Sequence, residues 1–503
     1  MRVPENAPPP RLCTGIPSLD DILLGGLPRG CVYLVEGDPG TGKTTLATQF
    51  ILEGKRQGER CLYVTLSESK AELELGAQSH GWSLDGIPIA EFVPDEASLD
   101  SKDQYTVFHP SEVELATTIK KLTDEIERAN PERLVIDSLS EFRLLAQDAI
   151  RYRRQLLALK RFLAGRNTTV LLLDDRTSNP RDLQVGSIVH GIFHLESLPP
   201  SYGVNRRRIQ IVKVRGLGYR EGYHDYSIGR EGVVIYPRLI AGEHSGDLPE
   251  QDFLSGLPAL DTLFGGGIER GSSTLILGPT GGGKSSLSMQ YALAASARGE
   301  RAVVYVFDED LHTTKARSRG LGMPIDAEVI KQHLCLEQID PAEISPGEFI
   351  HRIRREVEKN DTKAVVIDSL NGLLHSMPGE RDLALQLHEL LIFLGRRNVA
   401  TFLVLTQHGL VGDVYKDIDI SYLADSVLLL RFFEVAGTVR RAISALKKRS
   451  GPHEHTIREM QMSPQGIQIG EQLAGFTGIL SGTPEYRELQ ERQSEEPNDG
   501  GKR

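Results

Sequence analysis

The sequence of 503 residues has few cysteines, few aromatic residues and no long apolar segment. Its four cysteines form no CxxC pair and have no histidines at zinc-ligand spacing, which argues against a disulfide framework or a zinc site. No apolar run approaches the ~18 residues that a membrane-spanning helix needs, and the N-terminal segment lacks the apolar core of a signal peptide. We therefore expect a soluble, cytoplasmic protein with reduced thiols and no membrane partner.

Basic charge is also scarce. The chain has 58 Lys and Arg against 69 Asp and Glu, a net charge of −11 at pH 7. A sequence-independent grip on nucleic acid needs a concentrated basic surface, so nucleic acid is not an expected partner. The run Arg206–Arg208 has no interleaved aromatic residues, and we expect these arginines to be solvated on an edge strand.

What the sequence does contain is an internal repeat. Residues 14–53 align without a gap with residues 255–294, at an offset of 241 positions that places Lys43 on Lys284. Further on, RLVIDSLSEF (133–142) matches AVVIDSLNGL (364–373), and IVKVRG (211–216) matches ALKKRS (445–450). Because the matching features occur in the same order, the chain is interpreted as a duplicated domain of about 240 residues.

Each copy alternates short apolar strands with helix-forming stretches, which predicts an α/β fold with mostly parallel, doubly wound sheets. In one such stretch Leu115, Ile119, Leu122 and Ile126 lie on one helical face. The predicted division is a tail over 1–10, a first domain over 11–245, a second over 246–484, and a disordered acidic and polar tail over 485–503.

Both copies carry a phosphate-binding loop, GDPGTGKT (37–44) and GPTGGGKS (278–285), each between a predicted strand and a predicted helix. Backbone N–H groups and the helix N-terminus favour phosphate there. Lys43 and Lys284 are predicted to reach the β- and γ-phosphates, and Thr44 and Ser285 to bind Mg²⁺. The predicted ATP-binding residues are Gly37, Asp38, Pro39, Gly40, Thr41, Gly42, Lys43, Thr44 and Thr45, and Gly278, Pro279, Thr280, Gly281, Gly282, Gly283, Lys284, Ser285 and Ser286.

Carboxylates follow two further strands of each copy. Asp137 and Asp368 are predicted to hold Mg²⁺ through water; the alternative is a helix N-cap. Glu68 in the first copy, and Asp308 with Glu309 in the second, are candidates to orient or deprotonate an attacking hydroxyl. The alternative for these residues is an exposed turn carboxylate.

A pair of cations closes each copy, Lys213 with Arg215 and Lys447 with Arg449. Two residues apart on a strand, both side chains leave the same face. In a ring assembly such a pair could reach the γ-phosphate held by a neighbouring subunit. Without an assembly they would be solvated strand charges.

The leader sequences TGIPSLDDILLGGLPRG and SGLPALDTLFGGGIERG, each preceding a phosphate loop, resemble those of the KaiC family of circadian-clock ATPases. The resemblance covers about residues 11–483. It implies tandem RecA-like P-loop domains and a two-tiered homohexameric ring with ATP and Mg²⁺ between subunits. It also implies a first copy that is a slow ATPase and a second that is an autokinase and autophosphatase.

The resemblance also assigns roles to residues. The family's adjacent catalytic glutamates fall on Ser67-Glu68 and on Asp308-Glu309, and its trans-acting cations fall on the two Lys/Arg pairs. Its Ser-Thr phosphoacceptor pair falls on Ser421-Tyr422, which leaves Ser421 as the expected acceptor. The segment FTGILSGTPE (476–485) resembles the family's C-terminal loop, so a signalling or clock-type partner at the C-terminal tail is a further expectation.

Three functions stay open at this point. The first is a KaiC-like ATPase that phosphorylates itself on Ser421 as a signalling or timing switch, with 37–44 in the hydrolytic half and 278–285 in the phosphotransfer half. The second is an ATP-dependent oligomeric scaffold without kinase activity. The third, a RecA/RadA-type DNA-dependent ATPase, is disfavoured by the acidic net charge.

Overall fold

A computed structural model of the chain describes residues 10–92, 110–146, 148–175, 184–200, 202–243, 251–375, 380–407, 422–479 and 485–486. The described chain divides into two compact units, with the boundary between Arg238 and Leu239 and with Gly347–His351 grouped with the first unit. Most of the predicted C-terminal tail lies outside the described residues. Among the described helices, none is both long and apolar enough to cross a membrane.

The first unit contains eleven strands and seven helices within its described residues. The strands are β1 Arg11–Leu12, β2 Leu27–Pro28, β3 Val32–Gly37, β4 Cys61–Thr65, β5 Ile89–Glu91, β6 Arg133–Asp137, β7 Thr169–Asp175, β8 Gly191–Leu198, β9 Arg206–Val214, β10 Tyr223–Gly229 and β11 Gly232–Tyr236. The helices are α1 Pro17–Ile22, α2 Lys43–Arg56, α3 Lys70–Ser79, α4 Pro110–Ala129, α5 Leu139–Ala146, α6 Ala149–Leu163 and α7 Gln184–Ile188.

Nine of these strands form one sheet in the order β11-β10-β9-β8-β3-β7-β6-β4-β5. The six strands from β8 to β5 are parallel, and β9, β10 and β11 extend the sheet as antiparallel strands. Strand β6 is buried along its whole length, as expected where helices cover both faces of a parallel sheet. The predicted helical face is confirmed on α4, where Leu115, Leu122 and Ile126 are buried in the core and Ile119 packs against it.

The expected edge position of Arg206–Arg208 is wrong. Strand β9 lies between β8 and β10, inside the antiparallel part of the sheet. Arg208 forms an ion pair with Glu196 on β8 at 2.7 Å and stacks over the ring of Tyr223 on β10 at 4.1 Å. The run therefore lies inside the sheet rather than at its edge, and Arg208 makes cross-strand contacts on both sides.

The second unit repeats this architecture. Its strands are β12 Asp252–Phe253, β13 Ile268–Glu269, β14 Ser273–Gly278, β15 Ala302–Val306, β16 Leu334–Gln338, β17 Ala364–Asp368, β18 Ala400–Thr406, β19 Ser426–Val435, β20 Thr438–Lys448, β21 Arg458–Ser463, β22 Gly466–Gln472, β23 Phe476–Thr477 and β24 Glu485–Tyr486. Its helices are α8 Pro258–Leu263, α9 Lys284–Ala297, α10 Leu311–Gly320, α11 Glu328–His333, α12 Pro346–Asn360, α13 Leu370–His375 and α14 Glu380–Arg396, with a 3-10 turn at Ala241–Glu243.

Its nine-stranded sheet has the order β16-β15-β17-β18-β14-β19-β20-β21-β22. Read from β5 to β11, the first sheet has the equivalent strands in the same order. Again six neighbouring strands are parallel and three are antiparallel. The prediction of two tandem, mostly parallel α/β domains is confirmed. In both sheets the phosphate loop leaves the central strand, β3 or β14, at its carboxyl end.

Candidate functional site

Each phosphate loop joins a central strand to a helix through a left-handed glycine. Strand β3 ends at Gly37 and α2 begins at Lys43, while β14 ends at Gly278 and α9 begins at Lys284. The residues before the helices, Gly42 and Gly283, have φ values of 89° and 103°, a conformation that favours glycine. All predicted ATP-binding residues lie at these two junctions, where unpaired N–H groups of the first helical turn favour phosphate.

The loop lysines are buried and bonded to their own loops. The Lys43 ammonium donates to the carbonyls of Gly37 at 2.8 Å and Asp38 at 3.1 Å. The Lys284 ammonium donates to the carbonyl of Pro279 at 2.8 Å, and burial lowers the pKa of Lys284 to about 8. Both ammonium groups therefore lie within the loop that would surround the phosphates.

Lys43 has one contact that sequence reasoning missed, an ion pair with Asp175 Oδ1 at 2.9 Å. Asp175 is the last residue of β7 and lies beside Gly37 in the parallel register. The sequence feature that indicates Asp175 is an aspartate at the end of an apolar strand, as for Asp137. In the second sheet Thr406 lies beside Gly278, so the second loop has no carboxylate at this position.

The predicted Mg²⁺ ligands come together in both copies. Thr44 Oγ1 donates to Asp137 Oδ2 at 2.9 Å, and Ser285 Oγ donates to Asp368 Oδ1 at 3.1 Å. In the described residues no cluster of three or more His, Cys, Asp or Glu could hold a metal ion by itself. A hydroxyl and one carboxylate nevertheless fit Mg²⁺, which keeps several waters and binds through substrate phosphates.

Burial raises the pKa of both aspartates. For Asp368 it reaches about 6, although the Ser285 hydrogen bond opposes the shift. For Asp137 burial is again the main cause, opposed by hydrogen bonds from Thr44 and from the Tyr63 hydroxyl at 2.7 Å. The equivalent of Tyr63 is Val304, and within the described residues Asp137 has two side-chain donors where Asp368 has one.

The strand-end carboxylates differ between the copies. Glu68 forms no side-chain hydrogen bond or ion pair within the described part of the chain, and burial together with Asp137 raises its pKa. Glu309 is bonded to Arg317 and Thr314, and Asp308 accepts a hydrogen bond from the Ser369 hydroxyl. The sequence indicated these carboxylates but not the residues that hold them.

Beside the first loop lies a cleft of about 390 Å³ between α2 and α3. Thr45 and Thr48 of α2 line it together with Glu68, His80 and Trp82, and the rings of the last two are stacked with centroids 4.6 Å apart. Sequence reasoning missed this cleft, because His80 and Trp82 belong to no motif. Its position next to the phosphate loop suits the remainder of a nucleotide.

The four cations that are predicted to reach a neighbouring subunit, here called the finger cations, point back onto their own chain. Lys213 donates to the Gly186 carbonyl and Arg215 to the Ser187 carbonyl, at the end of α7. Lys447 donates to the Ala424 carbonyl at 2.7 Å, and Arg449 pairs with Asp425 at 3.0 Å. Neither pair contacts the phosphate loop of its own unit in the described structure.

The predicted acceptor, Ser421, lies outside the described residues. Its neighbour Tyr422 is described, with 57% of its surface exposed, and its carbonyl accepts a hydrogen bond from Arg449 at 3.1 Å. A finger cation of the second copy therefore contacts the residue next to the predicted acceptor.

Comparison with known proteins gives matches along the whole repeat. The family described as "ATPase: KaiC" matches residues 12–240 and 254–474. The chain is 28% identical over 486 residues to circadian clock protein KaiC3 of Synechocystis sp., covering 95% of each chain. It is 28% identical over 495 residues to the circadian clock oscillator protein KaiC of Parathermosynechococcus lividus, covering 94% of this chain and 88% of that protein. It is 27% identical to the KaiC of Acaryochloris marina over 503 residues, covering 96% and 93%.

Proposed function

Because the chain belongs to the KaiC ATPase family, we propose that it binds ATP with Mg²⁺ at both phosphate loops, hydrolyses it in the first copy, and phosphorylates itself on Ser421 through the second. The observation that carries the proposal is the matched set of a loop lysine, a loop hydroxyl and a buried aspartate in each copy. Thr44 with Asp137, and Ser285 with Asp368, would hold Mg²⁺, which neutralises phosphate charge when bound.

In the first copy Glu68 is the candidate base. Its carboxylate has no competing partner within the described residues, and its raised pKa makes it a better proton acceptor. The oxygen of water bonds to the γ-phosphorus while the bond to the β,γ-bridging oxygen breaks, and Glu68 takes the proton. The products are ADP and inorganic phosphate.

In the second copy the attacking group is the hydroxyl of Ser421. Its oxygen bonds to the γ-phosphorus, ADP leaves with the bridging oxygen, and the proton passes to Asp308 or Glu309. The product is a phosphoserine. Tyr422 stands where a second acceptor threonine would be expected, so we propose a single phosphorylation site.

The assembly that we propose is a homohexameric ring with ATP at the subunit interfaces. Lys213 with Arg215, and Lys447 with Arg449, would leave their carbonyl and carboxylate partners and reach the γ-phosphate of the neighbouring subunit. The domain limits at 11–245 and 246–484 and a signalling partner at the C-terminal tail belong to the same proposal. The output would be a signalling or timing switch.

The test of phosphotransfer is incubation of the full chain with γ-labelled ATP, followed by peptide mass spectrometry. Phosphate is expected on Ser421 in the parent, and none in Lys284→Ala or Ser421→Ala. Label that is absent from the parent, or that persists in Ser421→Ala, would show that the phosphotransfer step is wrong.

Assembly is tested separately by light scattering with and without ATP. ATP is expected to produce the hexamer in the parent and a smaller species in Lys43→Ala. A hexamer that forms without phosphorylation would leave a scaffold function. A hexamer whose size does not depend on either loop lysine would contradict nucleotide-bridged assembly.

A further inference from the structure

Two equivalent helices follow the strand-end carboxylates. The offset of 241 that aligns the phosphate loops also aligns both ends of α3 with both ends of α10, and aligns Glu68 with Glu309. Both helices begin with a side-chain cap: the Ser69 hydroxyl accepts from the Glu72 N–H, and the Asp310 carboxylate accepts from the Thr313 N–H. Differences along these helices can therefore be compared position by position.

On α10 two side chains hold Glu309. Arg317 Nη1 lies 2.5 Å from Oε1 and 2.6 Å from Oε2 of Glu309, and Thr314 Oγ1 donates to Oε1 at 3.0 Å. Both ion-pair partners are mostly shielded, with 29% and 23% of their side chains exposed. An arginine keeps its charge at any pH relevant to the protein, so this pairing is permanent as long as the geometry lasts.

On α3 the same two positions carry no polar group. Leu73 replaces Thr314 and is buried in the core, and Gly76 replaces Arg317. A side-chain carbon placed on Gly76 would meet no atom within 4 Å, because the position borders the cleft beside Glu68. Glu68 therefore faces open space where Glu309 faces a guanidinium.

We propose that Arg317 is a positioning residue that holds Glu309 away from the attacking water and thereby slows ATP hydrolysis in the second copy relative to the first. The inference rests on the proposed function, which assigns the base role to Glu68 in the first copy and to Asp308 or Glu309 in the second, and it takes Glu309 as the base of the second copy. The guanidinium occupies both carboxylate oxygens, so the proton-accepting lone pairs of Glu309 are engaged. Among the residues that the structure describes, no such contact restrains Glu68.

The experiment measures phosphate release by the full chain carrying Glu68→Gln, so that turnover reports the second copy. Arg317→Ala in this background is expected to raise kcat by about tenfold, a part of the roughly 10²- to 10⁴-fold that a general base contributes, and to leave KM within about twofold. Arg317→Lys retains the cation and is expected to stay close to the parent rate. A gain in kcat is not the result expected from a variant that only disturbs the fold.

The reciprocal variant introduces the cation into the first copy. In the Glu309→Gln background, Gly76→Arg is expected to lower turnover several-fold, by engaging Glu68 as Arg317 engages Glu309. Gly76→Gln adds similar bulk without charge and is expected to slow turnover less. Equal losses in the two variants would show that bulk in the cleft, rather than charge, is responsible, and would overturn the inference.

The inference also fails if Arg317→Ala, with an unchanged melting profile, turns over ATP no faster than the parent while Glu309→Gln still slows it. It fails equally if Arg317→Lys is as fast as Arg317→Ala. Turnover that persists when Glu68→Gln and Glu309→Gln are combined would instead overturn the base roles in the proposed function, and the inference with them.

Discussion

In the first repeat the ammonium of Lys43 pairs with Asp175, whereas the residue at the same register of the second sheet is Thr406. The two sheets have the same strand order, and both loops place a hydroxyl on a buried aspartate. The two loops therefore share the partner of the loop hydroxyl and differ in the partner of the loop lysine. The duplication has kept the backbone that surrounds phosphate and changed the charges next to it.

The first residues of the central strands show the same pattern. The Val32 N–H donates to His190 Nδ1 at 3.0 Å, and the equivalent Ser273 N–H donates to Asp425 Oδ2 at 3.0 Å. Within the described residues, only the acceptor in the second repeat, Asp425, also forms an ion pair with a finger arginine, Arg449. Because the Arg449 side chain is exposed and solvent screens the pair, giving it up costs about 1 kcal/mol, a small bias on the proposed movement of the finger.

The largest expected effect comes from removing a loop lysine. Lys43→Ala and Lys284→Ala should each weaken ATP binding at the altered loop by about 100-fold or more, because each removes charge-assisted hydrogen bonds to phosphate. Site-resolved nucleotide titration would measure both affinities. For chains that remain assembled, the comparison between repeats predicts that Lys43→Ala removes mainly hydrolysis and Lys284→Ala mainly phosphorylation of Ser421. Losses of both activities in both variants, with the assembly intact, would contradict that division.

The next effect is a difference in acid stability. His224 on β10 is buried, its Nδ1 accepts from the Arg238 N–H at 2.9 Å, and burial lowers its pKa to about 4. Because the folded-state pKa lies below the unfolded value of about 6.5, the contribution of His224 to the free energy of unfolding is fully present above pH 6.5. This contribution is lost as the pH falls toward 4. At pH 5 the free energy of unfolding of the first unit should be lower by about 2 kcal/mol.

The second unit supplies the control for this prediction. Arg458 occupies the register of His224 and pairs with Glu454 at 2.9 Å, so the second unit has no buried imidazole at this register. Amide hydrogen exchange, corrected for the intrinsic effect of pH, should show faster opening of β9 to β11 than of β20 to β22 at pH 5. His224→Gln should remove the difference. Equal acid sensitivity of the two units would show that His224 is not the cause.

Much of the fold and part of the site could be predicted because their signals are local. The loop glycines, the loop lysines and the strand-end aspartates sit in short motifs, and the apolar runs beside them predict the parallel strands. Asp175 was missed as a partner of Lys43 because their contact depends on the pairing of β3 with β7, which are far apart in sequence.

The two other gaps have similar physical causes. Arg317 and Glu309 are eight positions apart and meet only because Glu309 lies just before α10 and turns back toward its second turn. The arginines at 206–208 were assigned to an edge because strand order cannot be read from alternation alone, and the structure places β10 and β11 outside them. Short motifs could therefore be predicted from the sequence, whereas contacts that depend on strand order and on helix position could not.

The smallest expected effect concerns Asp175. Its carboxylate competes with phosphate for the Lys43 ammonium and repels phosphate charge, but 42% of its side chain is exposed, so solvent screens the interaction. Asp175→Asn should therefore tighten ATP binding at the first loop only about three- to fivefold. Thr406→Asp introduces the same carboxylate beside Lys284 and should weaken binding at the second loop by a similar factor. Tighter ATP binding in both variants, or weaker ATP binding in Asp175→Asn, would mean that Asp175 orients Lys43 toward phosphate rather than competing with phosphate. The charge difference between the repeats would then favour ATP binding at the first loop.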